Sequence, residues 1–218
     1  MVIEEVISIT PKVLEINDEL EKVGNFYLPF STGFEIECSL KNNRDINIFK
    51  DIPNIMEVRG GYDELRFRIP PGIIGLNCLY DISVMLKENA KLNFGSGIHY
   101  HVDATDWFEY VDQTFIDQNK LWVLQELESW NYQGGYNNRD MAFHRCWVRC
   151  HENYKTFEFR IGEMTFDYEV LFQRIVSANS ITQKLKNKVA DAILIKENPG
   201  LAYAKDVHQV LKKRKVEI

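Results

Sequence analysis

Four short segments set ionisable side chains two positions apart: Glu35 and Glu37, Glu64 with Arg66 and Arg68, His99 and His101, and Glu158 with Arg160. In an extended backbone a spacing of two puts such side chains on one face. Carboxylates with an imidazole, here Glu35, Glu37, His99 and Glu158, are ligands suited to Mg²⁺ or Mn²⁺. Guanidinium groups beside them match a phosphate or carboxylate that the metal also holds. Two glutamates on one strand face stand about 7 Å apart. Full charges at that distance repel by about 0.6 kcal/mol in water and about 2.4 kcal/mol at an effective dielectric of about 20. A cation between them removes that penalty. A merely solvated strand face favours Thr, Ser, Lys and Gln, and Lys is missing from all four sets. The residue types point to a metal–phosphate site.

These sets need strands to carry them. Apolar residues alternate with the charged ones: Phe34, Ile36, Leu65, Phe67, Ile69, Ile98, Tyr100, Val102, Phe157, Phe159 and Ile161 form the opposite faces. The pattern predicts strands over 30–38, 62–69 and 98–102, and a hairpin over 143–161 turning near Glu152-Asn153. Helical spacing predicts helices over 11–23 (stopping at Gly24), 73–92, two pieces between 103 and 130, 166–189 and 202–213, with a polar loop over 42–51. That order describes an α+β fold, a sheet with helices on its apolar side. The expected organisation is one domain over 1–218, its motif-bearing core at about 30–180, with the helix at 11–23 and those at 181–215 as accessories.

Composition removes other classes. With 26 basic and 32 acidic residues the formal charge is −6, the wrong sign for bulk nucleic-acid binding. Residues 1–10 have no basic region, and no apolar run approaches the roughly 20 residues that span a bilayer. Cys38, Cys78, Cys146 and Cys150 lack a CxxC pair and read as reduced thiols of a cytoplasmic protein.

Gly33-Phe34-Glu35-Ile36-Glu37 resembles the first catalytic strand of the glutamine synthetase and glutamate–cysteine ligase superfamily. Gly95-Ser96-Gly97-Ile98-His99-Tyr100-His101-Val102 is similar to its glycine-led HxH strand, and Glu158-Phe159-Arg160 to its ExR strand. They occur in the family's order, with Ile69-Pro70-Pro71 between the first two, and the small amidoligase branch found in phage and bacterial gene clusters matches best. The resemblance implies a curved, mostly antiparallel half-barrel with helices on its convex face. It also implies ATP-dependent joining of a carboxylate to an amine through an acyl phosphate. By position, Glu35, Glu37, His99 and Glu158 would ligate Mg²⁺ ions, His101 would lie near the nucleotide phosphates, and Arg160 would hold the phosphoryl group or the carboxylate. The family has a Glu where Arg66 stands here; Glu64 would replace it if the strand bulges. Arg66 and Arg68 join the anion-binding candidates. The Ile161-Gly162-Glu163-Met164-Thr165 segment departs from the family's Glu-Gly-Thr.

Rival readings are a fold that has lost ligation and serves binding or structure, and a metallo-hydrolase built on His99-x-His101-x-Asp103. Against the hydrolase, Ala104 stands where a further His is needed. Cys146, Cys150 and His151 make a poor zinc set, because His151 points away from the two thiols in a strand. A two-residue turn at Glu152-Asn153 would set Trp147 opposite Glu158 and Arg145 opposite Arg160, bringing Arg145 and Arg149 onto the charged face.

Overall fold

Thr32–Ile36 (β1) and Leu65–Ile69 (β4) each bury every second residue, as strands with one apolar face do. The structure is a computed structural model that describes residues 21–43, 45–60, 64–92, 97–129, 148–163 and 165–197. The remaining strands are β2 (Cys38–Leu40), β3 (Glu57–Gly60), β5 (Ala90–Leu92), β6 (Gly97–Asp103), β7 (Val148–His151) and β8 (Thr156–Glu163). The helices are α1 (Gly72–Asn89), α2 (Gln113–Gln118), α3 (Lys120–Ser129) and α4 (Tyr168–Glu197). The protein is α+β. Six strands form one sheet in the order β3-β4-β1-β6-β8-β7, every pair antiparallel, while β2 and β5 pair separately. Compact units cover Met1–Thr182 and Gln183–Ile218. The sheet lies in the first; in the second, Gln183 Nε2 donates to Asn187 Oδ1 at 3.0 Å.

Phe34, Ile36, Leu65, Phe67, Ile69, Ile98, Tyr100, Val102, Phe157 and Phe159 are all buried. Each such side chain contributes roughly 1.5–3 kcal/mol over leaving it exposed. Helix α4 docks on this side through Asn179, which is fully buried. Its Oδ1 accepts from the Phe30 N–H (3.2 Å), and its Nδ2 donates to Thr32 Oγ1 (2.9 Å). Helix α1 starts directly after Pro70-Pro71 and buries Leu76, Leu79, Ile82 and Leu86. A Cβ on Gly75 would overlap the Pro70 carbonyl oxygen, so only glycine lets α1 fold back this tightly. At the other end, Lys41 Nζ donates to the carbonyls of Lys87 and Glu88, two acceptors that a helix end leaves open.

The structure differs from the pattern-based expectations at several ends. The first strand stops at Ile36, and Cys38 opens β2 instead. Helix α1 ends at Asn89, because residues 90–92 pair as β5 with β2. Residues 46–51 are a 3-10 helix capped by Asp45, whose carboxylate accepts from the Asn47 N–H, rather than a loop. Strand β3 was not expected: Glu57-Val58-Arg59-Gly60 holds one apolar residue and so shows no alternation. Thr105–Tyr110 is 3-10. Residues 21–27 are helical, past the stop expected at Gly24, and Leu28 N–H bonds to Gly24 O at 2.8 Å. Residues 11–20 of the helix expected over 11–23, and the helix expected over 202–213, lie outside the described residues. Among the described residues no helix is long and apolar enough to cross a membrane.

Candidate functional site

Register assembles the charged side chains. Glu35 of β1 lies opposite Arg66 of β4 and opposite His99 of β6. One row then runs across all six strands as Glu57, Arg68, Gly33, His101, Glu158 and Arg149. The adjoining row holds Arg59, Arg66, Glu35 and His99. It stops where the β6–β8 register shifts between Ile98 and Tyr100, leaving β8 one residue longer. A bulge of this kind re-aims side chains beside it. Arg160, at the bulge, stays on the face: its Nη1 donates to Glu158 Oε1 at 2.7 Å.

The densest point is Glu35, His99 and Glu158, whose ligand atoms all lie within 4.8 Å of one another. His99 Nδ1 is 3.3 Å from Glu35 Oε2 and 3.6 Å from Glu158 Oε1. His101 Nε2 is 3.7 Å from Glu35 Oε1 and 4.0 Å from Glu158 Oε1. Glu158 is 2% exposed, not solvated, so its charge needs compensation costing several kcal/mol to lose. Arg160 supplies it, with Arg149 Nε at ion-pair distance (3.4 Å) from Oε2. Arg66 Nε stands 3.3 Å from Glu35 Oε1. Burial acts to raise the Glu35 carboxyl, but His101, His99 and Arg66 act the other way and prevail, holding it well below the usual carboxylate range. At 3.7 Å the His101 contribution is electrostatic contact rather than a hydrogen bond.

Two polar atoms in this group are buried without a hydrogen-bond partner: His101 Nε2 and Glu158 Oε2. Arg149 offsets the second through its charge, while a buried nitrogen such as His101 Nε2 costs about 1–3 kcal/mol and marks a place where an ion or water belongs. The donors, carboxylate oxygens with imidazole nitrogens, fit a divalent cation, and the half-buried Glu35 with the buried His99 and Glu158 could hold one.

Other predicted site residues make their main contacts outside the Glu35, His99 and Glu158 group. Glu37 Oε2 accepts from the Gly97 N–H at 2.9 Å, which ties the carboxylate to the start of β6. Glu64 is paired with Arg66 Nε. Arg68 Nη2 donates to Ser31 Oγ (3.1 Å) and Asp103 Oδ2 (3.3 Å). Asp103 also accepts from Ser31 and from the Thr105 N–H and hydroxyl. Burial raises its carboxyl, yet the Thr105, Ser31 and Arg68 contacts outweigh this and lower it. Those partners engage both oxygens of the Asp103 carboxylate. Arg145 and Cys146 lie outside the described residues.

The β7–β8 turn spans four residues, 152–155, rather than two, with Lys155 in the left-handed region at φ 51°. Arg149, not Trp147, is therefore opposite Glu158. Because two residues were added, the parity of β7 is kept and its odd-numbered residues face the site. This brings in groups the sequence reading did not assign. Thr156 Oγ1 is hydrogen-bonded to His101 Nδ1 at 3.2 Å. The His151 ring stacks on Tyr154, centroids 4.6 Å apart, and meets His101 edge-on. Thr156 shares the parity of Glu158 and Arg160, a signal already present in the alternation. A cleft of about 290 Å³ opens beside the group, bounded by Glu35, Arg66, Arg68, His101, Asp103 and Tyr154.

No protein-family model, no curated protein and no solved structure matches this chain.

Proposed function

We propose that the chain is a metal- and ATP-dependent carboxylate–amine ligase, a cytoplasmic amidoligase whose single domain carries the sheet as a curved half-barrel with helices on the convex side. The observation that carries this reading is the convergence of Glu35, His99, His101 and Glu158 with Arg66, Arg149 and Arg160 on one face of the sheet. A purely metal-binding protein has no need of guanidinium forks among the ligands, whereas a phosphoryl-transfer site needs both. The ordered motifs that resemble the glutamine synthetase superfamily lead to the same chemistry.

Glu35, His99 and Glu158 would hold the ion, Mg²⁺ or Mn²⁺ by the resemblance. When bound, it supplies positive charge to the phosphoryl oxygens. Arg160 and Arg149 stabilise the anionic phosphoryl group or the substrate carboxylate, the main catalytic contribution in such transfers. A carboxylate oxygen attacks the γ-phosphorus of ATP while the bond to the ADP oxygen breaks. An amine then attacks the carbonyl carbon of the acyl phosphate, phosphate leaves, and the proton lost by the amine nitrogen passes to the departing phosphate. The cleft beside Glu35 and His101 is the entry for a small substrate.

A second reading, a binding protein on this fold that no longer ligates, is favoured by Arg66, which sits against Glu35 where the family carries a Glu. The hydrolase reading is disfavoured by the partners that occupy Asp103. Incubation with ATP, Mg²⁺ and pools of amino acids and peptides decides between them. The ligase gives ADP and a product one water lighter than its two precursors, and Glu35→Gln abolishes both. Nucleotide-dependent thermal stabilisation without ADP formation would select the binding protein; turnover unaffected by Glu35→Gln would overturn the site.

A further inference from the structure

We propose that Glu35, His99, His101 and Glu158 form one four-residue cage for a first-row transition ion, preferred to Mg²⁺, and that Thr156 sets the His101 imidazole for it. The inference rests on the reading of this group as a metal centre, not on ligation. Three residues make the group a candidate; His101 is the independent observation. It is only 8% exposed, its Nε2 is fully buried with no hydrogen-bond partner, and that nitrogen faces one oxygen each of Glu35 and Glu158, 3.7 and 4.0 Å away. Ligand atoms bound to one ion at about 2.1 Å stand about 3.0–3.4 Å from each other in octahedral or tetrahedral arrangements. The imidazole–carboxylate separations here run from 3.3 to 4.0 Å, and the ligand atoms of Glu35, His99 and Glu158 all lie within 4.8 Å of one another, so the side chains close the cage by drawing in around the ion.

Donor chemistry selects the ion. Mg²⁺ prefers oxygen ligands and keeps several waters, so a second imidazole nitrogen adds little to its binding. Mn²⁺ through Zn²⁺ accept nitrogen and oxygen together, with affinity rising along the series to copper. The histidines present different nitrogens: Nδ1 from His99 and Nε2 from His101. For His101 the choice is made by Thr156, which bonds Nδ1 at 3.2 Å and leaves Nε2 to face the carboxylates. A hydrogen-bond partner on the far nitrogen is the usual way a protein fixes a ligating imidazole. Thr156 is thus a positioning residue.

The test uses untagged, chelator-stripped full-length protein without nucleotide, titrated with Co²⁺ while its visible absorption reports nitrogen ligation. One Co²⁺ per chain is expected, held at least about tenfold more tightly than Mg²⁺ in direct competition. His101→Ala should weaken Co²⁺ by about 10–100-fold and so narrow its preference over Mg²⁺; Thr156→Val should cost about tenfold and alter the cobalt spectrum, with Thr156→Ser restoring both. Equal competition by Mg²⁺ in the unmodified protein, or Co²⁺ binding that ignores His101, overturns the cage. Either result leaves the metal centre and the ligase reading standing. Absence of any divalent-ion binding would instead defeat the metal centre itself.

Discussion

Glu158 is enclosed by opposite charges it cannot do without. Arg160 donates to one oxygen at 2.7 Å and Arg149 stands 3.4 Å from the other. Glu158→Gln keeps the shape but leaves two guanidinium groups facing a neutral amide. Breaking a fully buried pair costs about 3–5 kcal/mol. Arg160 and Arg149 are partly exposed, at 22% and 36%, so solvent screening reduces the expected loss to about 1–3 kcal/mol. Urea unfolding followed by circular dichroism measures it; an unchanged midpoint would mean that the arginines find water instead. The alternation of Glu35, His99 and Glu158 was legible because period two fixes the face whatever the partner strand. The face of Arg149 and Thr156 was legible for the same reason, but the pairing of Arg149 with Glu158 and the place of Tyr154 were not, because they depend on a turn of four residues rather than two, and Glu152-Asn153-Tyr154-Lys155 contains no glycine to mark its left-handed position. Glu37 shows the converse limit. It has the right face and spacing, but the Gly97 N–H takes its carboxylate, and no periodicity encodes that competition.

Among the elements, α1 is the one most narrowly constrained. It must reverse direction immediately after β4, and Gly75 lies against the Pro70 carbonyl with no room for a methyl group. Because the obstacle is backbone rather than a flexible side chain, Gly75→Ala must shift the helix or the strand. A loss of about 1–3 kcal/mol is expected, despite the better helix propensity of alanine. Thermal unfolding checks it, and a raised midpoint would show that α1 can slide. Displacing β4 also moves Arg66 and Arg68, so the same variant should disturb ion binding at a distance. Strands rich in alternating apolar residues were read from the sequence to within a few positions. The short strands β3 and β5 were missed, since each is held by its partner's hydrogen bonds rather than by an apolar face of its own.

For the molecule as a whole, thiols wholly or partly withdrawn from solvent set an alkaline limit. Burial pushes the Cys38 thiol up to about 12 from its ordinary value of 9.0, and Cys150 likewise to about 12. The folded protein therefore holds these groups neutral over a range in which the unfolded chain releases their protons. Their contribution to stability is complete below about pH 9 and is lost progressively as the pH rises towards about 12. Denaturant midpoints at pH 8 and pH 10.5 should show this fall, and Cys38→Ala should make it shallower; parallel falls in both proteins would assign the loss elsewhere. The same burial keeps Cys38 in its unreactive thiol form.

The six-residue row across the sheet has a single vacancy, at Gly33, between Arg68 and His101. A Cβ built there meets His101 Cβ and the Phe67 carbonyl oxygen no closer than 3.5 Å, so the backbone does not demand glycine. Gly33→Ala should fold as well as the parent by thermal unfolding. Longer side chains at the same position would grow into the neighbouring cleft. The sheet thus possesses a dial, one residue wide, by which the size of an admitted guest can be narrowed stepwise while the charged pairs on either side remain in register.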